Sequence, residues 1–224
     1  NNWDISRATS MTHMFYEAKV FNQPLDNWNT SNVTDMSRLF MIALEFDQDI
    51  SKWDVSSVSD MSYTFASAEA FSGDVSNWDV SSVTTMNSMF TNANSFNSDI
   101  SKWDVSNVTS LKGFVSGTDI FNQPIGDWDI SNVTDIEEIF YNADSFNQPL
   151  NDWDISKVIS LKNVFVGADS FNQDLDNWNT SNITNMEFVF SGAKNFNGDI
   201  SSWDVSKVTS MREMFYLAKS FNQD

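Results

Sequence analysis

The sequence predicts an α/β solenoid of nine 25-residue repeats, with short parallel strands on one face and short helices or helical turns on the other. A β-solenoid is the alternative. Three observations predict it. All nine tryptophans, from Trp3 and Trp28 to Trp178 and Trp203, fall 25 residues apart without insertion or deletion. A phenylalanine follows each of them 18 residues later, from Phe21 and Phe46 to Phe221. Finally, one 25-residue unit is too small to bury its own apolar face, so neighbouring units must stack into a continuous core.

The unit at residues 128–152 supplies the elements in order. Trp128 and Ile130 alternate around Asp129, which is strand periodicity. After Val133, the apolar positions Ile136, Ile139, Phe140 and Ala143 have the offsets of one helical face, with Thr134 and Asp135 as candidate N-caps. Asn147-Gln148-Pro149 makes a turn, replaced elsewhere by Asn197-Gly198-Asp199 or Ser72-Gly73-Asp74. The expected organisation is a single array over 1–224, with units 3–27, 28–52, 53–77, 78–102, 103–127, 128–152, 153–177, 178–202 and 203–224. Neither end carries a polar capping unit, so the chain reads as a fragment of something longer.

One unit departs from the rest. In 103–127 the usual Phe is Val115, the usual Ala is Thr118, and aromatic bulk moves to Phe114, while Gly113 and Gly117 enter the helical stretch. Glycine there costs about 0.5–1 kcal/mol relative to Ala. A distorted or partly unwound helix, and a bend in the array, are expected at this unit.

The pattern W-D-V-S-x-V-T-x-M-x-x-M-F-x-x-A-x-x-F-N-x-D-I-S, present in nine copies over the whole chain, resembles the 25-residue repeat of the BspA-like leucine-rich-repeat surface proteins. That unit is also the mycoplasma-lipoprotein-type repeat. The resemblance implies a right-handed leucine-rich-repeat-like solenoid from a secreted or surface-anchored protein, often adhesive and without catalytic activity. It places the chain outside the cell or on its surface.

Composition narrows the function. A formal net charge of -19 argues against nucleic acid and anionic membranes, both of which attract basic patches. No stretch approaches the roughly 18 apolar residues of a membrane span. With no cysteine and His13 as the only histidine, no metal site, cofactor or histidine-based catalysis is expected. His13 itself, on the outer side of the unit, carries no functional inference.

Candidate sites therefore lie in columns. The exposed position after each tryptophan is Asp4, Asp54, Asp79, Asp104, Asp129, Asp154 and Asp204, with Asn29 and Asn179 in the remaining two copies. Neighbouring charges stacked at strand spacing, about 4.8 Å, repel by about 0.9 kcal/mol in water. Either local backbone or serine hydrogen bonds absorb this, or the file faces a cation, a basic partner or a mineral surface. No calcium-loop pattern accompanies it. A serine two residues further on recurs in every unit, from Ser6 to Ser206, and reads as a turn hydrogen bond rather than a nucleophile. The near-uniform asparagines, including Asn97, Asn122 and Asn147, read as a turn-stabilising ladder, and methionines such as Met11, Met14, Met86 and Met89 as core. The glycosylation-type triplets at Asn29, Asn32, Asn107, Asn132, Asn179 and Asn182 follow from the repeat itself.

The expected function is a non-catalytic surface or secreted module that binds a protein, a glycan or its own copies. The alternative is an architectural protein assembling into a filament, coat or lattice, with exposed Tyr16, Tyr141 and Tyr216 supplying lateral contacts. A glycosidase built on paired carboxylates is disfavoured, because near-equal copies offer no unique pocket.

Overall fold

The computed structural model describes residues 3–223. Successive 25-residue units stack in register as coils, with one core cluster running from Met11 to Met214. The elements within each coil are not those expected. Among the described residues there is no helix and no multi-residue strand, so the α/β assignment is corrected, and a regular β-solenoid does not describe the chain either. Parallel pairing is reduced to isolated bridges, such as Ser10 with Asp35, Asp35 with Asp60 and Asp60 with Thr85.

The coil at 53–77 shows what replaces the helix. Thr64 N–H donates to Met61 C=O, Ala66 to Tyr63 and Ala68 to Phe65, at 3.2, 3.1 and 2.9 Å. These are three overlapping turns with bonds spanning three residues, not the four of an α-helix. The alternate amides of Met61, Tyr63, Phe65 and Ser67 donate instead to Thr85, Asn87, Met89 and Thr91 of the next coil, at 2.7–3.1 Å. Tyr63 and Ser67 have φ of 59° and 56°. A positive φ at the third position is what type II turns require. Every coil repeats this pair of left-handed residues, from His13 and Glu17 to Glu213 and Leu217.

A run of such turns also buries residues three and four apart, so Met61, Phe65 and Ala68 face inward as a helix would place them. The apolar offsets were therefore read correctly as one face and wrongly as a helix. The expected N-caps act on turns: Asp135 Oδ1 accepts the Glu137 N–H at 3.0 Å, and Thr134 Oγ1 donates to Thr109 C=O at 3.2 Å.

The expected strand fares similarly. Trp128 and Ile130 are buried and Asp129 is exposed, as alternation required. The backbone there makes local turns, Trp128 N–H to Ile125 C=O and Val133 N–H to Ile130 C=O. Coils are joined at this edge by tryptophan side chains. Each indole N–H from Trp53 to Trp203 donates to a carbonyl 28 residues earlier, as Trp103 does to Val75 at 3.0 Å.

Aromatic columns fill the interior. The phenylalanines from Phe21 to Phe221 stack without a break, with neighbouring ring centroids 5.9–6.2 Å apart. Offset stacks of this kind contribute about 0.5–1.5 kcal/mol per pair beyond area burial. A second column, Phe15, Phe40, Phe65 and Phe90, is interrupted by Val115 and resumes at Phe140. Phe114 fills that interruption, meeting Phe90 and Trp128 edge-on.

The unit at 103–127 keeps the rungs from Leu111, Gly113, Val115 and Gly117 to the next coil but lacks the one from Ile120 N–H back to Asn94 C=O. Gly113 and Gly117, with φ of 62° and 69°, occupy the two left-handed positions that other coils give to residues such as Ser88 and Asn92. The expected unwinding does not arise, because there is no helix for glycine to weaken. Met86, Met89 and Met11 lie in the core, whereas Met14, in the first coil, is partly exposed.

Candidate functional site

The aspartate file is exposed, and each member is held by its own coil. The Oδ1 atoms of Asp4, Asp54, Asp79, Asp104, Asp129, Asp154 and Asp204 accept the backbone N–H of the serine two residues on, at 2.9–3.1 Å. In three coils the serine hydroxyl also donates to that oxygen, at 2.6 Å from Ser56, Ser81 and Ser106. At Asp54, Asp79, Asp104, Asp129 and Asp154 a tryptophan is buried on one side of the aspartate and Val or Ile on the other, so the carboxylate has only the solvent side. Asn29 and Asn179 make the same two bonds to Ser31 and Ser181. The serine column is thereby structural.

Hydrogen bonding also sets the charge. The side-chain and backbone bonds from serine hold Asp4, Asp54, Asp79, Asp129 and Asp154 below the ordinary carboxylate range. For Asp204 the Ser206 backbone bond leads, with the same direction. Coulombic repulsion between neighbours, as of Asp54 on Asp79, opposes this more weakly. In these six the charged form is favoured, with Oδ1 engaged and the charge presented outward.

Two further acidic columns were not singled out from the sequence. Asp49, Asp74, Asp99 and Asp199 precede the other turn of the coil and accept from Ser51, Ser76, Ser101 and Ser201. Their D-x-S spacing is the same two-residue signal as in the tryptophan-flanking file. Asp119, Asp144 and Asp169 line a trough of about 520 Å³ that also includes Tyr216 and Lys194. Burial, then Asp169 and Asp119, push the Asp144 carboxyl above its ordinary value. Lys194 is paired with Asp169 at 2.5 Å. Only stacking brings these residues together, 25 positions apart, so no local motif announces them. Among the described residues, no group of three or more His, Cys, Asp or Glu is arranged to hold a metal ion.

The asparagine ladder is in place. Asn122, Asn147, Asn172, Asn197 and Asn222 each donate a backbone N–H to the side-chain oxygen of the asparagine one coil earlier, at 2.7–3.0 Å. In the triplets at Asn32, Asn107, Asn132 and Asn182 the amide nitrogen donates to a serine carbonyl of the preceding coil. Tyr16, Tyr141 and Tyr216 are exposed, as expected. No helix among the described residues is long and apolar enough to cross a membrane.

A family model described as "Mycoplasma protein of unknown function, DUF285" matches residues 1–94, 71–166 and 150–224, so its overlapping copies span the chain. No curated protein and no solved structure matches.

Proposed function

The chain belongs to the DUF285 family, a repeat family of unknown function, and from that premise we propose that it is a non-catalytic surface or secreted binding module whose aspartate file engages a positively charged partner. One observation carries the reading. Seven carboxylates, repeated at a fixed place in the coils, are locked by serine, and in six of them the serine hydrogen bonds favour the charged form. A rigid, regular array of charge loses little conformational freedom on binding, which favours affinity through preorganisation. The partner is a protein with a basic stripe or a glycan bearing amino groups. The extracellular location, the adhesive role and kinship with BspA-like surface proteins belong to this proposal, supported by the repeat pattern.

The test uses the asparagines that already stand in the file. In Asp54→Asn/Asp79→Asn/Asp104→Asn the turns persist, because Asn29 and Asn179 make them. A control, Asp26→Asn/Asp127→Asn/Asp152→Asn, changes net charge equally at exposed positions elsewhere. Binding to immobilised polylysine and to chitosan, measured across salt concentrations, should weaken in the first variant and much less in the control. Equal weakening in both would remove the file from the reading.

A second reading is lateral assembly of the stacks, favoured by the exposed Tyr16, Tyr141 and Tyr216, which share one column. Sedimentation that stays strictly monomeric at high concentration would remove it.

A further inference from the structure

Along the edge that runs from Thr9 to Thr209 the rungs between coils are regular except at one junction; on another edge the single rung from Ile120 N–H to Asn94 C=O is also absent. Thr134 N–H donates to Thr109 C=O, and Thr184 N–H to Ile159 C=O, both at 2.9 Å. Between these two rungs the equivalent bond, Ile159 N–H to Thr134 C=O, is not formed. Neither is the bond from Ile136 N–H to Ser160 C=O, although Leu111 to Asp135 and Leu161 to Asn185 flank it at 2.9 Å. The parallel bridge between Asp135 and Ser160 is missing from an otherwise continuous file. The next rung, Glu138 N–H to Lys162 C=O, is lengthened to 3.3 Å. A cleft of about 210 Å³ opens at the same place, lined by Thr134, Asp135, Glu137, Ile159 and Ser160.

Ile159 explains the break. Every other coil after the first has Thr or Ser here, and its hydroxyl donates to the preceding coil's carbonyl, as Thr109 does to Thr84 at 3.0 Å and Thr184 to Ile159 at 3.1 Å. Isoleucine cannot donate, and its side chain stands 61% exposed. The far side of the junction stays closed. Phe146 stacks on Phe171 and Phe140 on Phe165, and Asn172 N–H reaches Asn147 Oδ1 at 2.9 Å.

We propose that this junction is a one-sided hinge, at which the coils of residues 128–152 and 153–177 part along the Thr134–Ser160 edge while the phenylalanine and asparagine columns hold the opposite edge. The exposed apolar Ile159 and the open backbone groups make it the first place the stack yields. Segments that open locally are those with few backbone bonds, and amide exchange reads them directly.

Hydrogen exchange of the 224-residue chain, followed amide by amide, tests this. Ile136 and Ile159 amides should exchange at least tenfold faster than their counterparts Met186 and Thr184. Ile159→Thr, which restores the hydroxyl, should slow both at least tenfold, and Ile159→Ser should act likewise. Ile159→Val, branched but without a donor, should leave them fast. Native protection at Ile136 and Ile159 equal to that at Met186 and Thr184 would overturn the hinge. So would Thr and Ser variants that exchange like the parent.

Discussion

The indole N–H of Trp53 donates to the carbonyl of Leu25, one coil earlier, at 3.1 Å and out of contact with water. Six further tryptophans repeat the bond down the stack. Tryptophan thus does two jobs at once: it fills the core and links each coil to the one before by a side-chain rung, at an edge where the backbone makes a rung of its own from Leu175 to Asp199.

Trp103→Phe separates those jobs. It keeps a ring in the column but removes the indole bond, leaving the Val75 carbonyl with the Trp78 N–H alone. A hydrogen bond contributes about 0.5–1.5 kcal/mol net, so the urea midpoint should fall by that equivalent with the slope unchanged. An unaltered midpoint would mean that the indole bond contributes nothing.

Left-handed backbone sites give opposite outcomes by residue. Gly167 has φ 65°, and an added Cβ would run into the Asn142 side chain. Gly167→Ala should destabilise by about 1–2 kcal/mol, the left-handed cost for an L-residue. Ile42, β-branched at φ 61°, already bears that strain. Ile42→Gly should raise the thermal midpoint, and Gly113→Ala or Gly117→Ala should lower it.

Val115 and Phe114 exchange roles relative to the other coils. Val115→Phe alone overpacks a fully buried site and should cost about 1–3 kcal/mol. Adding Phe114→Leu should recover most of the loss and restore a face-to-face contact with Phe90, visible in a structure of the double variant.

Acid should weaken the fold. The aspartates held down by serine bonds have folded-state pKa values below their unfolded ones. Their contribution is fully present above the unfolded value, about 3.9, and is lost as pH falls through the folded values. Asp144 has the opposite sign, since its raised value makes the charged form unfavourable in the folded state. Asp144→Asn should therefore raise the urea midpoint at pH 7 and leave it unchanged at pH 3.

Periodicity exposed the repeat, the inward columns and the aspartate file, because each coil places the same residue at the same point of the section. Hydrogen-bond pairing was not legible. Met61, Phe65 and Ala68 have spacings that an α-helix and a run of three-residue turns share, and the residues that distinguish them, Tyr63 and Ser67, have no glycine-like signature. The trough at Asp144 and the missing rung at Ile159 arise from neighbours 25 residues away. The unit at 153–177 carries the cause of the second, Ile159 in place of Thr or Ser, but its effect on the neighbouring coil shows only in the stack.

The alternating amides give the stack an electrical direction. In the coil at 53–77, the peptide planes ending at Met61, Tyr63, Phe65 and Ser67 all aim N–H at the next coil, while the amides of Ser59 and Ala70 aim back. Peptide dipoles of about 3.5 D each, aligned in this way, add along the axis as they do in a helix, with the forward planes in the majority. The sense is reversed relative to an α-helix: the backbone contributes partial negative charge at the low-numbered end of the stack and partial positive charge at the high-numbered end.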